Sequence, residues 1–165
     1  MKPKIEITRT SPLWRALPGV EKLARRAIGA SLAASGARIL DGAEVSVQLA
    51  DDTQIQALNA QWRGLDKPTN VLSFPAAAPP KIDAVPMLGD IVVAFETAER
   101  EAAEEDKTLA DHAAHLVVHG FLHLLGYDHQ IAAEANQMEM LETHILAKLG
   151  IADPYAATIP VDADA

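Results

Sequence analysis

His119, His123 and His129, with Gly126 between the last two, dictate local structure more tightly than any other stretch of this 165-residue chain. Residues four apart stand one turn above each other on a helix, so His119 and His123 share a face and can reach a common point. Gly126 is placed to take the left-handed conformation that closes a helix, and the reversed chain brings His129 round as a third donor. The run therefore predicts a helix, a tight stop and a return, built around one metal ion. Three imidazoles leave one tetrahedral position open, which is the arrangement of catalytic zinc; structural zinc sites fill all four positions, usually with thiolates. The chain has no cysteine to supply one. The bland alternative, two helix histidines and a third in a turn by chance, leaves the glycine and the third spacing unaccounted for.

The spacing matches the long zinc-peptidase pattern His-Glu-x-x-His-x-x-Gly-x-x-His throughout. The chemistry differs at one position. In that pattern the glutamate after the first histidine is the general base, and here the position is Gly120, which has no side chain to take a proton. Peptide hydrolysis is therefore the second choice. Either another group activates a water at the metal, or the metal's own effect on that water suffices.

Length and a hydrophobic content of 49% suit one core, and we expect a single domain over residues 1–150 with a flexible acidic tail over 151–165. Without cysteine, and without an apolar run of signal or membrane-span length, the expected location is cytoplasmic. A net charge of -9 argues against a nucleic-acid partner until it is divided along the chain. Residues 1–40 hold eight Lys or Arg against two acids, while the remainder holds six bases and twenty-one acids. Such asymmetry permits one basic face on an acidic protein, although Lys22, Arg25 and Arg26 would also serve as the wet side of a helix.

Alternating Ile5 and Ile7 predict a first strand over 4–9. Val20, Leu23, Ala24, Ala27, Ile28 and Leu32 form the stripe of an amphipathic helix ending near Gly36. Residues 44–50 read as a second strand, and Asp51 or Asp52 as the cap of a helix carrying Ile55, Leu58 and Trp62 inward. Residues 71–74 read as a third strand stopped by Pro75, 76–86 as a loop, and 88–94 as an interior strand. The acidic segment 96–106 reads as a solvated helix or loop without chemistry. Residues 109–125 are the metal helix, and 131–149 a closing helix with Ala135, Met138, Leu141, Ile145 and Leu149 facing in.

The turn from Arg63 to Asn70 is rich in turn-forming residues and could be only a connection. Yet Arg63 and Lys67 on a loop between rigid elements are what phosphate binding would use, with Arg63 able to hold a phosphate bidentately. Upstream of the metal run, His112 and His115 continue the helical spacing. His115, one turn from His119, is the candidate for proton transfer or for supporting a ligand, and His112 reads as surface.

Taken together, Leu58-Asn59-Ala60-Gln61-Trp62-Arg63, Asp66-Lys67-Pro68-Thr69-Asn70-Val71-Leu72-Ser73-Phe74-Pro75, Gly89-Asp90-Ile91, the block from His115 to His129, and Met138 to Glu142 resemble the YbeY family of bacterial rRNA maturation factors. The resemblance implies an α+β fold: a mixed four-stranded sheet packed with about five helices, one of them a central metal-binding helix. It implies a single-strand-specific, metal-dependent endoribonuclease acting in ribosomal RNA maturation and ribosome quality control, with ribosomal RNA and possible ribosomal proteins as partners. Its three zinc ligands fall on His119, His123 and His129, and its essential arginine on Arg63. Nickel or another divalent ion also suits three imidazoles. Asn70 stands where the family more often has aspartate, so a carboxylate role there is not carried over. Two rivals stand beside this reading: a zinc peptidase, and a non-catalytic ribosome-assembly factor whose metal only stiffens the fold.

Overall fold

The computed structural model describes residues 2–76, 81–127 and 132–155. Among these, β1 (Lys4–Arg9), β2 (Glu44–Ala50), β3 (Val71–Pro75) and β4 (Met87–Ala94) form one sheet in the order β1-β2-β4-β3. The pairs β1 with β2 and β2 with β4 are parallel, and β3 is antiparallel to β4. The mixed α+β sheet expected from the resemblance is thus the one observed. Pro75, expected to stop β3, is its last residue. A proline is tolerated there because β3 is an edge strand and needs no donor on its outer side.

Five α-helices complete the described chain: α1 (Val20–Ser35), α2 (Asp52–Arg63), α3 (Phe95–Glu104), α4 (Leu109–Leu124) and α5 (Ala132–Lys148). In β2, Val45, Val47 and Leu49 are buried toward α1 and α4, while Ser46 and Gln48 face the other way. The interior strand β4 is buried almost throughout, because α4 covers one of its faces and α2 the other. Helix α4 is the central layer, packed against α1, α3, α5, β3 and β4. No helix among the described residues is long and apolar enough to cross a membrane.

The contact between α4 and the sheet explains Gly120. A Cβ built there would lie 2.9 Å from Cγ2 of Ile91 and 3.0 Å from Oγ of Ser73, and that hydroxyl donates to the Gly120 carbonyl at 2.9 Å. The position faces the sheet at a distance that only hydrogen can occupy. The glutamate of the peptidase pattern therefore has no place here, for packing reasons as well as chemical ones.

One feature departs from the sequence reading. Trp62, expected inward, is 64% exposed; α2 buries Ile55, as expected, together with Asn59, and is capped by a reciprocal Asp51–Gln54 box. The apolar cluster beneath α2 is small (Ala50, Ile55, Leu72, Val92, Ala94) and leaves no interior for an indole on the last turn. Conversely Trp14, in a short 3-10 helix over Pro12–Ala16, is fully buried, donates to the Ala50 carbonyl at 2.8 Å and meets Phe95 edge-on.

Candidate active site

Thr108 caps α4 by accepting from the Asp111 N–H, and the helix closes in the way the glycine predicted. Gly126 has φ 106; its N–H donates to the His123 carbonyl and the Tyr127 N–H to the Leu122 carbonyl, the paired bonds of a Schellman stop. On the last two turns the Nε2 atoms of His119 and His123 lie 3.1 Å apart. Two nitrogens bound to one tetrahedral zinc at 2.0–2.1 Å would be separated by about 3.3 Å, so the pair already stands at ligand spacing. His129 lies outside the described residues, and among the described residues no group of three metal donors is assembled.

The third partner of this helix face was not singled out as a site residue from the sequence. Glu142 of α5 is fully buried, and it accepts from Nδ1 of His119 at 2.9 Å, from Nε2 of His115 at 2.6 Å and from the Tyr155 hydroxyl at 2.8 Å. Burial pushes its carboxyl up, but the hydrogen bonds from His115 and His119 outweigh that and hold it at about 2. The carboxylate is therefore ionised and can only accept. With Nδ1 of His119 engaged in this way, its Nε2 is the nitrogen presented to a cation beside His123; the donor set fits a divalent ion of the zinc type.

Arg63, at the end of α2, reaches the edge strand, where its guanidinium donates to the Ser73 carbonyl at 3.2 Å. A cleft of about 690 Å³ brings it together with Lys67, Asn70, Ser73, His119 and His123. The loop carrying Lys67 is tied to α2 because Asn59 Nδ2 donates to the Lys67 carbonyl at 2.9 Å. Thus the predicted phosphate binder and two of the predicted ligands converge. The basic N-terminal quarter does not join them: β1 is the far edge of the sheet, Arg9 pairs with Glu21, and Arg25 donates to the Ile5 carbonyl.

His115 is not in the cleft. Eight residues separate it from His123, about 80° around the helix axis, so the two flank His119 from opposite sides. It faces a second cavity of about 500 Å³ shared with Tyr155, Glu101 and Lys107. His112, read as surface, is 4% exposed, and its Nε2 lies 2.9 Å from Oε1 of Glu101. The same oxygen accepts from Asn70 Nδ2 at 3.0 Å, while Asn70 Oδ1 accepts from the Val71 N–H. An aspartate at position 70 could not donate to Glu101, and the segment read as chemically silent thus supplies the carboxylate that holds the start of β3.

The family model described as Endoribonuclease YbeY matches residues 16–150. A Methylocella silvestris protein named Endoribonuclease YbeY is 52% identical over 155 residues, covering 94% of this chain and 87% of its own. A protein of the same name from Allorhizobium ampelinum is 62% identical over 120 residues, 72% of each chain. The solution structure of a Thermotoga maritima protein shares the fold with a TM-score of 0.54 at 24% identity, covering 88% of this chain and 91% of that one.

Proposed function

Because the chain belongs to the YbeY endoribonuclease family, we propose that it is a metal-dependent endoribonuclease that cuts single-stranded ribosomal RNA during its maturation and in ribosome quality control. One observation carries the reading: the Nε2 atoms of His119 and His123, 3.1 Å apart, share a cleft with the guanidinium of Arg63. Three of the five blocks that carry the family likeness, 58–63, 66–75 and 115–129, contribute residues to the lining of this cleft. Its volume, about 690 Å³, lies in the range of small-ligand sites.

His119 and His123, with His129 as the third ligand expected from the sequence, would hold a zinc or similar divalent ion. When bound, that ion supplies Lewis acidity for phosphodiester cleavage. The protein's own residues do the rest. Arg63, anchored on the Ser73 carbonyl by one of its five N–H groups, keeps donors for the non-bridging phosphate oxygens and meets the charge that grows as phosphorus is attacked. A positioned donor of this kind is typically worth about 3 to 4 kcal/mol of barrier. Lys67 adds a second cation on the same wall. Of the two roles open to His115, support is the one the geometry favours over proton transfer, because its Nε2 is held by Glu142 outside the cleft.

Metal content by mass spectrometry, paired with cleavage of a single-stranded RNA by wild type, His123→Ala and Arg63→Ala, tests this. We expect about one ion per wild-type chain, loss of metal and cutting in His123→Ala, and loss of cutting with metal retained in Arg63→Ala. Equal cutting by all three would leave the assembly-factor reading in possession. The product ends identify the nucleophile: a cyclic phosphate points to the RNA 2'-hydroxyl, a 5'-phosphate to water.

A further inference from the structure

Among the described residues Glu142 is the one fully buried carboxylate, set in the apolar stripe of α5 between Met138 and Ile145. An unpaired charge there would be strongly unfavourable, so the chain keeps it only with its donors in place. The donors come from two directions. From α4, His119 Nδ1 and His115 Nε2 each give a proton to a different oxygen, at 2.9 and 2.6 Å. From beyond α5, the Tyr155 hydroxyl gives one at 2.8 Å and its ring stands edge-on to that of His115, centroids 5.7 Å apart.

Tyr155 is itself delivered by a pinned segment, although residues from 151 onward read as tail in the sequence. The Ile151 N–H donates to the Leu146 carbonyl, Lys107 Nζ to the Pro154 carbonyl, and Asp153 Oδ1 accepts from both the Tyr155 N–H and the Thr143 hydroxyl. The segment after α5 is thus fastened to α5 and to the loop before α4, with the phenol aimed at the carboxylate behind the histidines.

We propose that Glu142 is the positioning residue of the metal centre, fixing the His119 ring with its Nε2 toward His123, and that Tyr155 locks Glu142, so that the segment following α5 tunes metal affinity. This rests on the metal reading given above. Nδ1 of His119, 2.9 Å from Oε1 of Glu142, gives its proton to that oxygen, which leaves the Nε2 lone pair for a cation. That hydrogen bond also prevents the ring from turning over, which an isolated helix histidine is free to do. Carboxylates in this relation to a ligating histidine typically hold 10- to 100-fold in metal affinity.

The test is titration of the full-length, chelator-stripped protein with Zn2+ against a chromophoric competitor, and with Co2+ followed by visible absorption. We expect wild type to take about one ion, Glu142→Gln to bind about 10- to 100-fold more weakly with an altered cobalt spectrum, and Tyr155→Phe to lose less. Wild-type affinity in Glu142→Gln, within twofold, would overturn the inference. Should that variant not fold, Tyr155→Phe and the 15N imidazole spectrum of metal-free wild type decide. A proton on Nδ1 of His119 supports the lock, and a proton on Nε2 overturns it. Wild type that binds no ion sinks the metal reading and this inference together; wild type that binds and cuts beside an equally avid Glu142→Gln sinks this inference alone.

Discussion

Replacing Gly120 tests the packing of α4 directly, and Gly29 in α1 provides the internal control. At an open helical position, glycine to alanine stabilises by roughly 0.5 to 1 kcal/mol through backbone entropy. Gly29 is such a position, with nothing within 4 Å of a built Cβ. At Gly120 the same gain meets a methyl 2.9 Å from Ile91 Cγ2 and 3.0 Å from Ser73 Oγ. Ile91 is fully buried in β4 and β-branched, so it cannot swing aside, and moving Ser73 breaks its bond to the Gly120 carbonyl. Overpacking of this kind costs about 1 to 3 kcal/mol. Gly29→Ala should therefore raise the thermal midpoint by about 1 to 4 °C, and Gly120→Ala should leave it unchanged or lower it by up to about 10 °C, from the 2 to 4 °C per kcal/mol typical of this chain length. Gly120→Glu, which restores the peptidase sequence, should fail to fold to wild-type stability and should show no peptidase turnover. Differential scanning calorimetry decides. Equal upward shifts in the two alanine variants, or a Gly120→Glu protein as stable as wild type, would refute the close approach and reopen the peptidase reading.

Other expectations follow from the same structure. Arg63→Ala should lower RNA cleavage by about 100- to 1000-fold, with a thermal midpoint close to wild type because the side chain is exposed; a matching loss of stability would assign Arg63 to the fold. Trp14→Ala should cost about 3 to 5 kcal/mol in urea unfolding, whereas Trp62→Ala, removing a side chain already 64% exposed, should cost well under half of that. Chelation should abolish cleavage and lower the thermal midpoint, and returning zinc should restore both; activity persisting in metal-free protein would contradict the catalytic role proposed for the histidines.

Where a side chain's role follows from helical period or local backbone chemistry, the sequence already revealed it. The alternation of Ile5 and Ile7, the stripe from Val20 to Leu32, the Asp51 cap and the Gly126 stop all depend on neighbours within a few residues, and all appear in the structure. The His119–His123 pair was legible for the same reason, since one turn of helix sets its spacing. Its meeting with Arg63 is different. It depends on α2 ending where its last residue can reach the outer carbonyls of β3, and only the family resemblance pointed there.

What stayed hidden depends on contacts between distant segments. Trp14 and Trp62 are the same residue type, and their opposite burial follows from the size of the cluster beneath each. Glu101 sits in an acidic run that looks like a solvated face, yet it is the shared acceptor of Asn70 and His112. Glu142 did leave a trace: Met138, Glu142, Ile145 and Leu149 are spaced by four, three and four, so the carboxylate occupies a position where the helical period calls for an apolar side chain. A charge in such a stripe requires donors on the opposing element, and α4 offers imidazoles and no Lys or Arg. The pairing of α5 with the metal helix could therefore have been argued from that one misplaced glutamate. Its oxygens select the imidazole nitrogens that face away from the cleft, and so the residue that breaks the pattern of the core is the one that orients the candidate metal site.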